Sequence, residues 1–460
     1  MNLENIYSIL PGWAKNVAIN FEGYRIKRTR YSPRFFKLLK EVKKRSFWSR
    51  DKIIAFRNKR LNEFVIYCYE YVPYYRRRFK EIGIDPKSIN RLEDLKYIPI
   101  LTKDEVKKNF NEFISEKIPK NKIIMMHTSG TTGGGFQFYT TLDSIHEQWA
   151  IWWRYRNWHG IEMKNWCLYF GGRKIVNTSQ NKPPFWRYNI PGKQILFDGY
   201  HMSPKNMFNY VKKIKRSKIV WLHGYPSLLS LLASYIIENN IDIGYKIKYI
   251  TIGGENLMPQ QSLLIKKAFG IQPKQHYGLA EGVANISECE YGNLHVDEDF
   301  SAVEFIPIKN TSSYKIIGTN FSNLAMPLIR YDTQDIATIS SRKLCQCENK
   351  GRIVTKIDGR KEDYIILKNG IRIGRLAHLV ADLINIKEAQ IYQKKIGEII
   401  IKIAKGAHYT EKDEIKILKE FEKRVGDNDK ISIEYVRYLP RTHNGKLRFV
   451  KSELEEGKLV

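Results

Sequence analysis

The sequence predicts an α/β protein: a large N-terminal α/β domain with a β-rich subdomain, followed by a small C-terminal α+β domain. Three observations carry that expectation. Between residues 166 and 269, short apolar runs alternate with helical stretches, the pattern of stacked α/β layers. Residues 303–340 are richer in strand formers. Near residue 358 the composition shifts to a lysine-rich series of short strands and helices. The expected divisions are therefore 1–60, a basic and aromatic segment; 61–357, the large domain; and 358–460, the small domain.

The elements follow in chain order. A helix starts at Ser32, with Phe35, Phe36, Leu38, Leu39 and Val42 near one face and Lys37, Lys40, Lys43 and Lys44 on the other. Such a helix could pack on a core with its basic face in water, or lie on an anionic membrane. Residues 51–120 read as helices broken at Val72-Pro73 and Asp85-Pro86. Strand-like runs follow at IIMMH (123–127), WCLYF (166–170), KIVWLHG (218–224) and YITIGG (249–254), then a helix near 258–269. The tail reads as strand YIIL, strand IRI, helix RLAHLVADLI, strand EIIIKIA, helix EKDEIKILKEFEKRV and strand ISIEYV.

Of 460 residues, 43% are hydrophobic and 27% charged, which excludes a low-complexity chain and a disulfide miniprotein. The 78 Lys and Arg against 48 Asp and Glu leave a formal charge of +30. From Arg25 to Arg60 there are 15 Lys and Arg against only Glu41 and Asp51. An excess of this size favours anionic partners such as nucleic acid, membrane or acidic substrates. Five sparse cysteines argue against a secreted disulfide framework. No signal peptide is visible at the start, and no apolar run approaches the roughly 18 residues of a membrane span. A cytoplasmic protein is expected, with peripheral contact on the inner membrane face as an addition.

The strongest chemical signal is the loop His127-Thr128-Ser129-Gly130-Thr131-Thr132-Gly133-Gly134-Gly135, directly after an apolar strand. Glycines let backbone N–H groups approach an anion, and the hydroxyls add donors, so the loop suits phosphate oxygens. It lacks the Gly-Lys-Ser/Thr ending of a Walker loop. In order after it come Gly253-Gly254-Glu255, Tyr277-Gly278-Leu279-Ala280-Glu281, Arg330-Tyr331-Asp332-Thr333-Gln334-Asp335, Asp358-Gly359-Arg360 and Pro440-Arg441-Thr442-His443-Asn444-Gly445-Lys446.

This ordered series resembles the adenylate-forming superfamily, and within it the phenylacetate–CoA ligase-like and CapK-type proteins. The likeness covers about residues 60–460. It implies an AMP-forming ligase that uses ATP and Mg²⁺: a carboxylate attacks the α-phosphate, giving acyl-AMP and pyrophosphate. By resemblance, Thr128, Ser129, Gly130, Thr131, Thr132 and Gly133 grip the phosphates. Tyr277 and Gly278 pack on adenine, with Gly253, Gly254 and Glu255 lining the same pocket. Glu281 would hold Mg²⁺ and Asp335 the ribose hydroxyls. Arg360 would reach a ribose or phosphate oxygen from the domain junction, and Lys446, on the mobile small domain, would bridge carboxylate and α-phosphate. The acyl group would sit near Phe170, Gly171, His223, Tyr225 and Pro226.

Two departures stand out. The phosphate loop continues Gly134-Gly135-Phe136-Gln137 without the family's lysine, and Gln334 replaces the usual glycine before Asp335. Separately, Cys289, His295, Cys345 and Cys347 supply four ligands, enough for a closed structural zinc site.

For the substrate, Arg154, Arg156, Arg173, Lys174 and Arg187 are interspersed with Trp152, Trp153, Trp158, Trp186 and Tyr188, which suits acidic sugars. The leading expectation is activation of a uronic or amino acid in capsular or surface polysaccharide synthesis, with transfer to an amine, hydroxyl or thiol. The alternatives are an aryl-acetate CoA ligase, AMP transfer to a hydroxyl, and a degenerate fold that binds polyanions or membrane without catalysis. Nucleic acid is not an expected partner.

Overall fold

A computed structural model describes residues 7, 10–127, 136–173, 175–177, 180–309, 311–341, 344–347, 349–360, 364–368, 372–374, 385–425, 429–441 and 447–454. The chain folds as two compact units. The first joins residues 1–23, 164–275 and 359–460; the second joins 24–163 and 276–358.

The first unit contains a mainly parallel sheet in the order Trp186–Asn189, Gln194–Asp198, Cys167–Gly171, Trp221–Gly224, Tyr249–Ile252, with Lys274 and Gln275 beside the last strand. Only the edge strand Trp186–Asn189 is antiparallel. Leu168, Phe170, Leu222, Ile250 and Ile252 are buried, as expected where helices cover a parallel sheet. The helices Pro204–Ser217, Pro226–Glu238 and Pro259–Phe269 each start with proline, whose fixed φ suits the first turn and whose missing N–H costs nothing there.

In the same unit, the hairpin Ile386–Lys395 with Glu398–Lys405 is flanked in parallel by Val450–Ser452 and Lys430–Tyr435. Ile391, Ile399, Ile401 and Ile403 pack there against Ile417 and Phe421 of the helix Glu411–Val425. Lys387 pairs with Glu238 at 2.7 Å, and Gln260 donates to the Ile386 carbonyl. The strands read at YIIL, IRI, EIIIKIA and ISIEYV are present. The expected helix RLAHLVADLI lies outside the described residues. The strand Ile386–Lys395 was not foreseen, because Lys387, Glu388 and Gln390 break its apolar alternation; Glu388 and Gln390 are nevertheless buried with partners of their own.

The second unit holds the helices Pro33–Arg45, Arg50–Tyr71, Pro73–Ile82 and Leu142–Trp158. Its antiparallel strands are Asn285–Glu288, Leu294–Val296, Ser301–Pro307, Tyr314–Asn320 and Tyr331–Ile339. The helix expected to start at Ser32 is Pro33–Arg45, and Ser32 caps it by accepting from Phe35 N. That helix buries Phe35 and Val42 and leaves Lys37, Lys40, Lys43 and Lys44 in water, so it is a core-packed helix with a solvated basic face. Among the described residues, no helix is long and apolar enough to cross a membrane.

Part of the basic N-terminal segment, Arg45, Arg50, Arg57 and Arg60, is turned inward. Asp297, Glu298 and Asp299 are all buried. Arg154 bonds Asp297 at 2.7 Å and Asp299 at 2.8 Å, while Arg60 pairs with Glu147 at 2.6 Å. Glu298 receives Arg50 at 2.9 Å, Arg352 at 2.8 Å and also Arg57. Buried carboxylates persist only when paired and hydrogen-bonded, and here the basic helices supply the partners.

Candidate functional site

The first unit gathers the expected acyl-pocket residues with the Gly253-Gly254-Glu255 turn. The strands Cys167–Gly171, Trp221–Gly224 and Tyr249–Ile252 run parallel, so Phe170, Gly224 and Ile252 sit in register at their C-terminal ends. Tyr225 N donates to the Phe170 carbonyl at 2.9 Å, and Gly253 N to the Gly224 carbonyl at 3.3 Å. A Cβ on Gly224 would lie 2.2 Å from Phe170 O, so only glycine fits between these strand ends. Gly254 has φ +80°, and a side chain there would meet the Tyr225 ring at 2.8 Å.

His223 is oriented by Thr251, whose carbonyl lies 3.0 Å and hydroxyl 2.9 Å from Nδ1. Its ring is 5.4 Å from that of Tyr169. Burial, then Tyr169 and Glu255, push the Tyr225 phenol up, so it stays neutral. Pro226 opens the following helix. Glu255 accepts from Ser227 N at 3.2 Å through one oxygen and from Leu447 N at 2.9 Å through the other. The residue after Lys446 is thereby tied to this turn. Leu447 belongs to a C-terminal segment in which Arg441 pairs with the buried Glu388, a contact that sequence reasoning missed.

The second unit holds four other expected residues, Tyr277, Gly278, Glu281 and Asp335. Tyr277 O–H donates to Asp335 Oδ2 at 2.8 Å, so the adenine-stacking candidate and the ribose-binding candidate touch. Burial, then the Asp335 charge, hold the Tyr277 phenol well above its usual range. Asp335 stands on a bulge: Lys315 opposes Ile336 and Ile317 opposes Asp332, so residues 333–335 face Ile316 alone. Gln334 adopts φ +64° inside that bulge, a left-handed conformation that favours glycine. Its N–H is held by Asp332 at 2.8 Å, and Asp335 N by Thr333 at 3.1 Å. Glu281 is buried, and its carbonyl accepts from Asn320 at 3.0 Å. Gly278 ends the strand Lys274–Gly278.

Thr128, Ser129, Gly130, Thr131, Thr132, Gly133 and Lys446 lie outside the described residues. Arg360 ends the strand Ile353–Arg360.

The four expected metal ligands come together. Leu294 pairs with Glu288 and His295 with Ile353, so one hairpin presents Cys289 and His295 beside the strand that follows Cys345 and Cys347. All four ligand atoms lie within 4.8 Å of one another. Cys289 Sγ is 3.8 Å from Cys345 Sγ, and Cys347 Sγ is 3.3 Å from His295 Nε2. Two sulfurs on one tetrahedral zinc would stand about 3.8 Å apart, so the spacing fits. His295 Nδ1 is 3.1 Å from the Gly351 carbonyl, which orients Nε2 toward the sulfurs. The hydrogen bond with Cys347 holds the Cys289 thiol below its ordinary range against the opposing effect of burial.

Two basic residues read as substrate contacts are occupied internally. Arg154 binds Asp297 and Asp299, and Arg187 is buried with its guanidinium on the Pro184 and Trp186 carbonyls at 3.0 and 2.8 Å. The run Asp297-Glu298-Asp299 was the overlooked signal: three consecutive carboxylates are conspicuous in so basic a chain.

The CapK C-terminal domain family matches residues 365–453. Protein CapK of Staphylococcus aureus is 27% identical over 98% of this chain and 100% of its own length. A phenylacetate–coenzyme A ligase of Thermus thermophilus is 22% identical over 87% of this chain and 96% of its own. Among solved structures, 2-hydroxyisobutyryl-CoA ligase in its postadenylation state superposes with a TM-score of 0.64, at 17% identity over 86% of this chain and 89% of that one. The chain is an AMP-forming ligase, similar along most of its length to CapK and to phenylacetate–CoA ligases. The ligase shares its mixed α/β architecture with the adenylate-forming enzymes, as the ordered motifs implied.

Proposed function

We propose that this ligase activates a carboxylate with ATP and transfers the acyl group to a second substrate. The carboxylate oxygen forms a bond to the α-phosphorus, and the bond from that phosphorus to pyrophosphate breaks. The observation that carries the reading is the half-buried Tyr277–Asp335 pair at 2.8 Å: an aromatic face for adenine beside an acceptor for ribose hydroxyls. Glu281 offers the hard oxygen ligand that Mg²⁺ takes, and the ion would neutralise phosphate charge. Thr128, Ser129, Gly130, Thr131, Thr132 and Gly133 supply phosphate donors, and Arg360 a further cation. Lys446 bridges the reacting oxygens. Replacing Lys446 with Ala should lower acyl-AMP formation by about 10³-fold or more while ATP still binds. Near-normal pyrophosphate release by that variant would remove the lysine from the mechanism.

We assign the carboxylate to surface or capsular polysaccharide synthesis, a uronic or amino acid passed to an amine, hydroxyl or thiol. Kinship to CapK along the whole chain supports this. ATP as co-substrate assigns the reaction to the cytoplasm. One observation favours a second reading, aryl-acetate CoA ligation: the surroundings of His223 are aromatic, with the Tyr169 and Trp221 rings close by, and Arg154 and Arg187 are engaged elsewhere. Pyrophosphate release screened over uronic acids, amino acids and aryl acetates, with and without CoA, separates the two. Turnover of phenylacetate only in the presence of CoA would overturn the polysaccharide assignment.

The ligand spacing further supports a structural zinc on Cys289, His295, Cys345 and Cys347. Metal analysis of chelator-washed protein should find about one zinc per chain. Absence of zinc, with unchanged thermal stability on chelator treatment, would overturn it.

A further inference from the structure

The helix Gly12–Arg30 carries a solvent-facing apolar stripe that the ligase chemistry does not use. Trp13 is 73% exposed, Val17 62%, Phe21 72% and Tyr24 57%. Their spacing of four, four and three residues confines them to an arc of about 80° on a 3.6-residue helix. The other side of the helix is anchored. Lys15 and Gly23 are buried there, and on the flank beside Trp13 the Asn20 amide donates to the Tyr188 carbonyl at 3.0 Å while accepting from Ile190 N at 2.9 Å. The orientation of the stripe is therefore set by packing.

The charges around it are one-sided. Arg28 projects within the same arc and Lys27 just beyond its edge, both exposed, whereas Glu22 points about 180° away from Trp13. Large aromatics in line with cations, with no carboxylate on the face, complement a surface that is apolar beneath and anionic above. A phospholipid bilayer with acidic headgroups has that construction. The sequence pointed to the helix Pro33–Arg45 for such contact, but that helix commits Phe35 and Val42 to the core.

We propose that the Trp13, Val17, Phe21 and Tyr24 face docks the protein in the interfacial plane of an anionic membrane. Lys27 and Arg28 pair with lipid phosphates, and the catalytic units stay in water. The inference stands apart from the choice of carboxylate.

The test is co-sedimentation of the full chain with phosphatidylcholine vesicles, with and without about 30% phosphatidylglycerol. Binding should require the anionic lipid and weaken in high salt. Trp13→Ala with Phe21→Ala, and separately Lys27→Glu with Arg28→Glu, should each reduce partitioning about tenfold or more. Thermal unfolding and pyrophosphate release in solution should match the parent, since all four positions are exposed; a double variant that misfolds is replaced by the Phe21→Ser single variant. No binding to anionic vesicles overturns the proposal, as does binding that survives both variants. So does a wild-type dimer that Trp13→Ala with Phe21→Ala splits by light scattering, because the stripe would then be a self-association face.

Discussion

Leu447 donates its backbone N–H to Glu255 Oε1 at 2.9 Å, joining the segment just after Lys446 to the Gly253-Gly254-Glu255 turn. The second Glu255 oxygen holds Ser227 N at 3.2 Å, so one carboxylate bridges the C-terminal segment and the start of the helix that follows Tyr225. Hydrogen bonds to a charged acceptor contribute about 1.5–3 kcal/mol. Glu255→Ala should therefore cut the adenylation rate about 10–100-fold. Pyrophosphate exchange measures it, and an unchanged kcat would show that this contact does not position the catalytic loop.

Tyr277 and Asp335 should differ in what their loss costs. Tyr277→Phe keeps the ring and removes one hydrogen bond, worth about 1 kcal/mol, so KM for ATP should rise about three- to tenfold. Asp335→Ala also deletes the ribose acceptor and should raise it further. Steady-state kinetics over ATP concentration decide the matter: equal effects of the two changes would contradict the division of labour.

Gln334 holds φ +64° where a side chain is strained. Gln334→Gly should leave Tm unchanged or raise it slightly, because relief of about 1 kcal/mol offsets the added freedom of the unfolded chain. Gln334→Val should lower Tm, since β-branching is poorly tolerated there. Calorimetry of both variants checks the sign.

Acid should attack the carboxylate network. Burial raises the Glu298 pKa, but the guanidiniums of Arg352, Arg57 and Arg50 outweigh it and hold the group at about 2, against an ordinary 4.5. A depressed folded-state pKa means stability is present above pH 4.5 and is lost as pH falls from 4.5 towards 2. Glu298→Gln should flatten that part of the profile. At neutral pH it should cost about 3–5 kcal/mol, because buried guanidiniums lose their counter-charge. Urea unfolding across the pH series tests both; an unaltered acid limb would assign the sensitivity to other carboxylates.

What could be read locally was read well. Ser32 before Pro33, and the apolar runs at 166–170 and 249–254, announced a helix start and buried strands because backbone sterics and burial act over a few residues. The hairpin strand Ile386–Lys395 escaped notice, since Glu388 and Gln390 are polar yet buried, and their partners lie 53 and 58 residues away at Arg441 and Arg448. The candidate site divided the same way. Six ordered motifs named the adenylate-forming chemistry, but neither the Tyr277–Asp335 bond nor the bulge that requires a left-handed Gln334 follows from spacing.

The sequence by itself determined the α/β class, the order of the motifs and the kind of reaction, because these depend on residue type and short-range periodicity. Only the tertiary structure decided which charges meet water. Arg57 and Glu298 are 241 residues apart, and the chain's return turns part of a basic segment into internal counter-charge. It likewise brought Cys289 and Cys345 to 3.8 Å and left Trp13, Val17 and Phe21 outside. Charge pairing and burial act through distances in space, and those distances exist only once the chain has folded back on itself.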